Sequence, residues 1–115
     1  PSAITVGSTD INDVRSDYSN IGSCIDIFAP GRNIVSASHL DNTSLTTKSG
    51  TSMASPHVAG FAALIMGQLP NASVAEVTQR LLTNSTPNKV VNPGAGSPNR
   101  LLYVIPNGGV YGTYP

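Results

Sequence analysis

Charge is scarce in this sequence. Only 10% of its residues are Asp, Glu, Lys or Arg, and the six bases cancel the six acids. No basic face is available to meet a phosphate backbone, so nucleic-acid binding is not an expected role. A polybasic patch for anionic lipid is missing for the same reason. Cysteine is scarcer still: Cys24 stands alone, so no disulfide closes within the chain. Nothing beside it in sequence marks a catalytic thiol. Read from the residues, it is a small buried hydrophobe or one half of a pairing with a cysteine outside this chain. The opening Pro1-Ser2-Ala3-Ile4 has neither the charged nor the apolar region of a signal peptide. Long apolar runs are limited to one, Met53 to Met66, which falls short of the roughly 20 residues of a membrane span.

What remains is a chain of 115 residues, 39% of them hydrophobic, which is one domain's worth at most and apolar enough to fold. Its organising stretch is Ser49 to Gly67, S-G-T-S-M-A-S-P-H-V-A-G-F-A-A-L-I-M-G. Small residues turn around Ser52 and lead into the apolar run, whose only polar side chains are Ser55 and His57. The pattern predicts a helix buried on nearly all sides, with Ser52 as its N-cap. A serine there is placed as a nucleophile, because the free N–H groups and the positive end of the macrodipole face any negative charge that develops. Pro56 would then sit in the fourth helical position and remove only the first backbone bond.

The remaining elements are short. Ala3 to Ser8 reads as a buried strand ending at a polar surface loop, Ser8 to Gly22. Cys24 to Pro30 is a second strand, stopped by Pro30-Gly31, and Ile34 to Ser38 is a third. Asp41-Asn42 supplies a turn, and Leu45 to Ser49 returns as a strand, so that a hairpin delivers Ser52 to its helix. Ser73-Val74-Ala75-Glu76 is a capping box that starts a second helix ending near Thr83, with Val74, Val77, Leu81 and Leu82 mostly on one face. Thr86 to Asn99 reads as loop, Leu101 to Ile105 as a last strand and Pro106 to Pro115 as an irregular tail. Three sequons, at Asn42, Asn71 and Asn84, are about as many as chance supplies; they are compatible with secretion without arguing for it.

A serine nucleophile requires a base within reach and a group to orient it. His57 follows Ser52 by five residues, about 140° away around a helix, so it points elsewhere and reads as a histidine bonded under the first turn. Asp26, His39 and Ser52 occur in the order acid, base, nucleophile, yet order alone is weak support for a self-contained triad. Asp26, between Ile25 and Ile27 in an apolar strand, has to be paired, hydrogen-bonded or metal-bound.

G-T-S-M-A-S-P-H-V-A-G, Gly50 to Gly60, resembles the nucleophile motif of the subtilisin-like serine peptidases. T-V-G, S-N-I-G-S and D-I-F-A-P-G extend the resemblance, to the proteinase K-like branch in particular, from Pro1 to about Ile105. It implies an α/β, three-layer fold with a mostly parallel sheet around a central buried helix starting near Ser52. Ser52 matches the nucleophile that forms an acyl-enzyme, and its own N–H matches one oxyanion donor. Thr51 and Met53 match motif positions that shape the pocket. In this family the aspartate, histidine and oxyanion asparagine precede the region matched by Pro1, so the chain corresponds to the C-terminal part of a catalytic domain. His39 matches a variable surface loop. Asp26 matches a calcium ligand, with backbone carbonyls at Pro1 and Ala3; protein partners alone are the other reading. Cys24 lies near a position that is disulfide-bonded in related peptidases. No cofactor for catalysis is implied. The expectation is a secreted (or vacuolar/lysosomal) serine endopeptidase acting on polypeptides, completed by the upstream part of its domain and inactive and poorly stable without it. A non-catalytic binding or structural module on the same scaffold is the rival reading.

Overall fold

Ile27, Phe28 and Ala29 have no measurable exposure, and the strand they form is the one the others assemble around. A computed structural model describes residues 2–105. In chain order its elements are β1 (Val6–Thr9), β2 (Ile27–Pro30), β3 (Ile34–Ala37), β4 (Leu45–Lys48), α1 (Thr51–Gln68), α2 (Val74–Thr83), β5 (Thr86–Pro87) and β6 (Arg100–Leu101). A continuous apolar run such as Ile27-Phe28-Ala29 is the mark of a strand covered on both faces. Successive side chains alternate accordingly. Ile27 and Ala29 join the core with α1 and α2, whereas Phe28 meets Ile25 and Val90 on the opposite side.

The main sheet has the order β1-β2-β6-β5. β1 and β2 run parallel with Val6 opposite Ile27 and Thr9 opposite Pro30, and β2 is parallel to β6 through Phe28 and Leu101. Only β5 is antiparallel, to β6. The expected mostly parallel α/β sheet is therefore present. β3 and β4 form a separate antiparallel hairpin with Ile34 opposite Lys48, which leads directly into α1. Gly7 sits against Phe28, and a Cβ there would run into the phenyl ring, so this register requires glycine.

α1 buries Ala54, Val58, Phe61 and Ile65, spaced four, three and four residues apart, against the sheet and α2. Each of the larger side chains gains about 1.5–3 kcal/mol from leaving water. The burial expected on nearly all sides is not seen: Leu64 is 51% exposed and Met66 54%. α1 is apolar all round while the described residues cover only one of its faces. α2 begins with the expected capping box, in which Glu76 N–H donates to Ser73 Oγ and Ser73 N–H to the Glu76 carboxylate. Val77 and Leu81 anchor it, but Val74, expected on the same face, is largely exposed.

Other differences are local. The first, second and last strands are shorter than the β-branched runs suggest, because pairing partners exist for only part of each run. Two residues of the expected Thr86–Asn99 loop pair as β5. The Ser8–Gly22 loop is not simply solvated. Its Ser16 N–H donates to Ser8 O, and Ser16 and Ser19 are buried beneath it. Pro1 and the 106–115 tail lie outside the described residues.

Candidate active site

Ser52 is the second residue of α1, two positions after the N-cap rather than the cap itself. The cap is Gly50, an extended residue with no side chain to offer. Its carbonyl accepts the first helical bonds, from Met53 N–H at 2.9 Å and Ala54 N–H at 3.3 Å. The Thr51 and Ser52 N–H groups therefore precede the helical ladder, as the first amides of any α-helix do. Pro56 is sixth in the helix rather than fourth, and the bond it removes is the one to the Ser52 carbonyl.

Ser52 is exposed. With Thr51, Val6, Ser55, Pro56 and Ala59 it lines an open cleft of about 610 Å³. Thr51 and Met53 are half-buried on either side of it. A second groove of about 770 Å³ adjoins it along α1, sharing Val6, Ser55 and Ala59 and reaching Asp26. Ser52 therefore faces space large enough for a polypeptide segment and sits at the positive end of an 18-residue helix.

Among the described residues no base accompanies it. His57 Nδ1 lies 2.8 Å from the Met53 carbonyl oxygen, a contact within its own helix that fits the expected bonded histidine. His39 occupies the turn between β3 and β4. The four residues of β4 separate that turn from Gly50 by about 13 Å of strand, far beyond proton-transfer distance. Among the described residues no hydrogen bond joins Ser52 Oγ to a histidine or a carboxylate. Asp26 is elsewhere, half-buried in the segment before β2, where its Oδ2 accepts Thr5 N–H at 2.7 Å.

The Subtilase family model matches residues 1–101. The chain belongs to the subtilase family. Among its relatives, the extracellular serine proteinase of Thermus sp. (strain Rt41A) is 52% identical over 101 residues, which are 88% of this chain and 25% of that protein. Alkaline protease 1 of Aspergillus clavatus is 47% identical over 103 residues, 90% of this chain and 25% of that one. Among solved structures, a cold-adapted subtilisin-like serine proteinase superposes with a TM-score of 0.85 at 45% identity, over 93% of this chain and 38% of its own. This subtilase chain thus spans about a quarter of the length of the curated relatives it matches. No helix among its described residues is long and apolar enough to cross a membrane.

Two further residues bear on the family comparison. Cys24 is exposed, so its reading as a buried hydrophobe fails. For a cation at Asp26, Oδ2 is already engaged by Thr5, and among the described residues no hydrogen bond engages Oδ1. No three acids, histidines or cysteines cluster there or elsewhere among the described residues. Asp26 would supply a carboxylate to such a site, with carbonyl and water oxygens among the rest of the six to eight ligands calcium takes. That all-oxygen set fits a hard cation. Neither the role of Gly50 nor the bonding around the Ser8–Gly22 loop was signalled in the sequence beyond the glycine before Thr51.

Proposed function

We propose that this chain is the nucleophile-bearing part of a secreted serine endopeptidase. Ser52 Oγ attacks the scissile carbonyl carbon of a polypeptide as a base takes its proton. The C–N bond then breaks, the amine leaves with that proton, and water hydrolyses the acyl-enzyme. The Ser52 N–H, ahead of the helical ladder, donates to the oxyanion, and Thr51 and Met53 shape the pocket. The observation that carries this reading is an exposed serine at the start of an apolar helix, opening onto a cleft, within a family of serine proteinases. Histidine, aspartate and the second oxyanion donor come from protein outside these 115 residues, which also covers Leu64 and Met66, exposed on either side of the buried stripe of α1. Alone, the chain is a scaffold without turnover.

A fluorophosphonate probe tests this. Labelling at Ser52 is expected in the protein that includes the upstream region, lost in Ser52→Ala, and absent from the isolated chain. Labelling of the isolated chain that disappears in His39→Ala would overturn it.

In the complete protein we further propose calcium at Asp26, with the carbonyls of Ala3 and Pro1. The bound ion would cross-link the chain start to the segment before β2. Calcium should then raise the unfolding temperature of the wild type but not of Asp26→Ala; equal shifts would rule the site out.

A further inference from the structure

Both backbone polar groups of Gly50 are held, and the group that holds its N–H is itself held from the far side. Gly50 N–H donates to the Gly31 carbonyl at 2.8 Å, while Gly50 O begins α1 by accepting from Met53 and Ala54. The Gly31 carbonyl has a second donor, the Tyr18 hydroxyl, at 3.0 Å. Tyr18 Oη is also 3.1 Å from Ser8 Oγ, and Ser8 Oγ is 2.9 Å from Ser16 Oγ. With Tyr18 donating to Gly31, the hydroxyls align in one direction, Ser16 to Ser8 to Tyr18 to the carbonyl, and such a chain polarises each bond in it. Gly31 N–H in turn donates to Thr9 O at 2.9 Å, fixing it to the end of β1. Arg32 lies over the Tyr18 ring at 5.2 Å and pairs with Asp17, and Asn33 N–H donates to Ser49 Oγ at 2.8 Å.

We infer that Tyr18 and Gly31 are positioning residues for the nucleophile: together they brace Gly50, and so set where α1 begins and where Ser52 points. Gly50 has no side chain to cap the helix, so its backbone contacts alone define the start. Gly31 is buried, and a Cβ on it would lie 2.7 Å from Gly50 O and collide with Ser8 Oγ. Its lack of a side chain is therefore what lets the brace close. An alanine would have to push Gly50 O back to the 3.4 Å or more of ordinary contact, or displace Ser8. The Ser52 side chain follows Gly50 by two residues, and displacements approaching 1 Å at a reacting group cost about a hundredfold in rate.

This inference rests on the peptidase reading of Ser52, and its test keeps the two apart. Peptide anilide turnover is measured for the catalytically complete protein and its Tyr18→Phe, Gly31→Ala and Ser19→Ala variants, alongside unfolding temperature. Ser19 is the control: its buried hydroxyl accepts Ser8 N–H at 3.0 Å in the same loop but lies outside the hydroxyl chain. Tyr18→Phe should lower kcat about fivefold with KM within twofold, the size expected from losing part of one hydrogen bond. Gly31→Ala should lower kcat by about a hundredfold. Ser19→Ala should lose unfolding temperature while keeping kcat within twofold. An active wild type whose Tyr18→Phe variant keeps its kcat and loses only stability, as Ser19→Ala does, overturns the brace even if Gly31→Ala does not fold. A wild type that neither turns over peptide nor takes the fluorophosphonate overturns the peptidase reading, and the brace with it.

Discussion

Leu64→Gln distinguishes an α1 face that is bare from one that further protein covers. Leu64 is 51% exposed within this chain, whereas its neighbour Ile65 is 1% exposed. Fully burying a leucine is worth about 1.5–3 kcal/mol, so roughly half of that is already gained here. If the face stays bare, the substitution forfeits about 0.7–1.5 kcal/mol, because the amide still reaches water. If the face is covered, the whole transfer term is lost and an amide is buried without a partner, which costs about 1–3 kcal/mol more. The total then rises to roughly 2.5–6 kcal/mol. Ile65→Ala provides the reference, since Ile65 is buried by this chain itself and should cost about 2–5 kcal/mol in either case. Urea unfolding of the protein with its upstream region is the assay, comparing midpoints at constant slope. A Leu64→Gln variant within about 1.5 kcal/mol of wild type, beside a strongly destabilised Ile65→Ala, would refute the proposal that α1 is a central helix in the complete protein.

Two further perturbations follow from local geometry. Ser73→Ala removes the Oγ that accepts Glu76 N–H, leaving only the backbone N–H arm of the α2 capping box, and should destabilise by about 1 kcal/mol, read from the same urea midpoints. The Arg32 guanidinium, by hydrogen bond and by charge, holds the exposed Asp17 carboxyl below its ordinary value of 3.8. A depressed carboxylate contributes stability that is present above the ordinary value and is lost as pH falls below 3.8 through the folded one. Arg32→Gln should therefore raise the Asp17 midpoint toward 3.8 in an NMR titration and flatten the stability profile in that acid range.

The sequence showed most where one local rule decided the outcome. Ser73 and Glu76 carry their cap in their own spacing, and Ile27-Phe28-Ala29 announces a strand covered on both faces. The hairpin that feeds α1 was legible from Asp41-Asn42 between two β-branched runs. Failures fall where the outcome depends on distant partners. Val74 has the right spacing for the buried face of α2 yet stays exposed, since spacing describes a helix and not what lies against it. Ser16 and Ser19 belong to a polar stretch that reads as loop, and only the return of that stretch onto Ser8 buries them. Around Ser52 the motif marked a helix starting nearby, while the cap itself is Gly50, because a glycine without a side chain gives a weak boundary signal beside a serine.

The two helices of this chain begin in opposite ways. α2 has its first amides bonded reciprocally by Ser73 and Glu76, whereas α1 starts at Gly50 with no side-chain bond. An aspartate at an N-cap ordinarily strengthens a helix over glycine by a few tenths of a kcal/mol, by accepting from the N–H groups of its second or third residue. Those residues here are Ser52 and Met53. Capping α1 in this way would set the protein's own carboxylate against the Ser52 amide, which under the proposed function donates to the oxyanion. On the proposed function, the uncapped start of α1 leaves the Ser52 amide open to the oxyanion, and Gly50→Asp should cost peptide turnover in the complete protein.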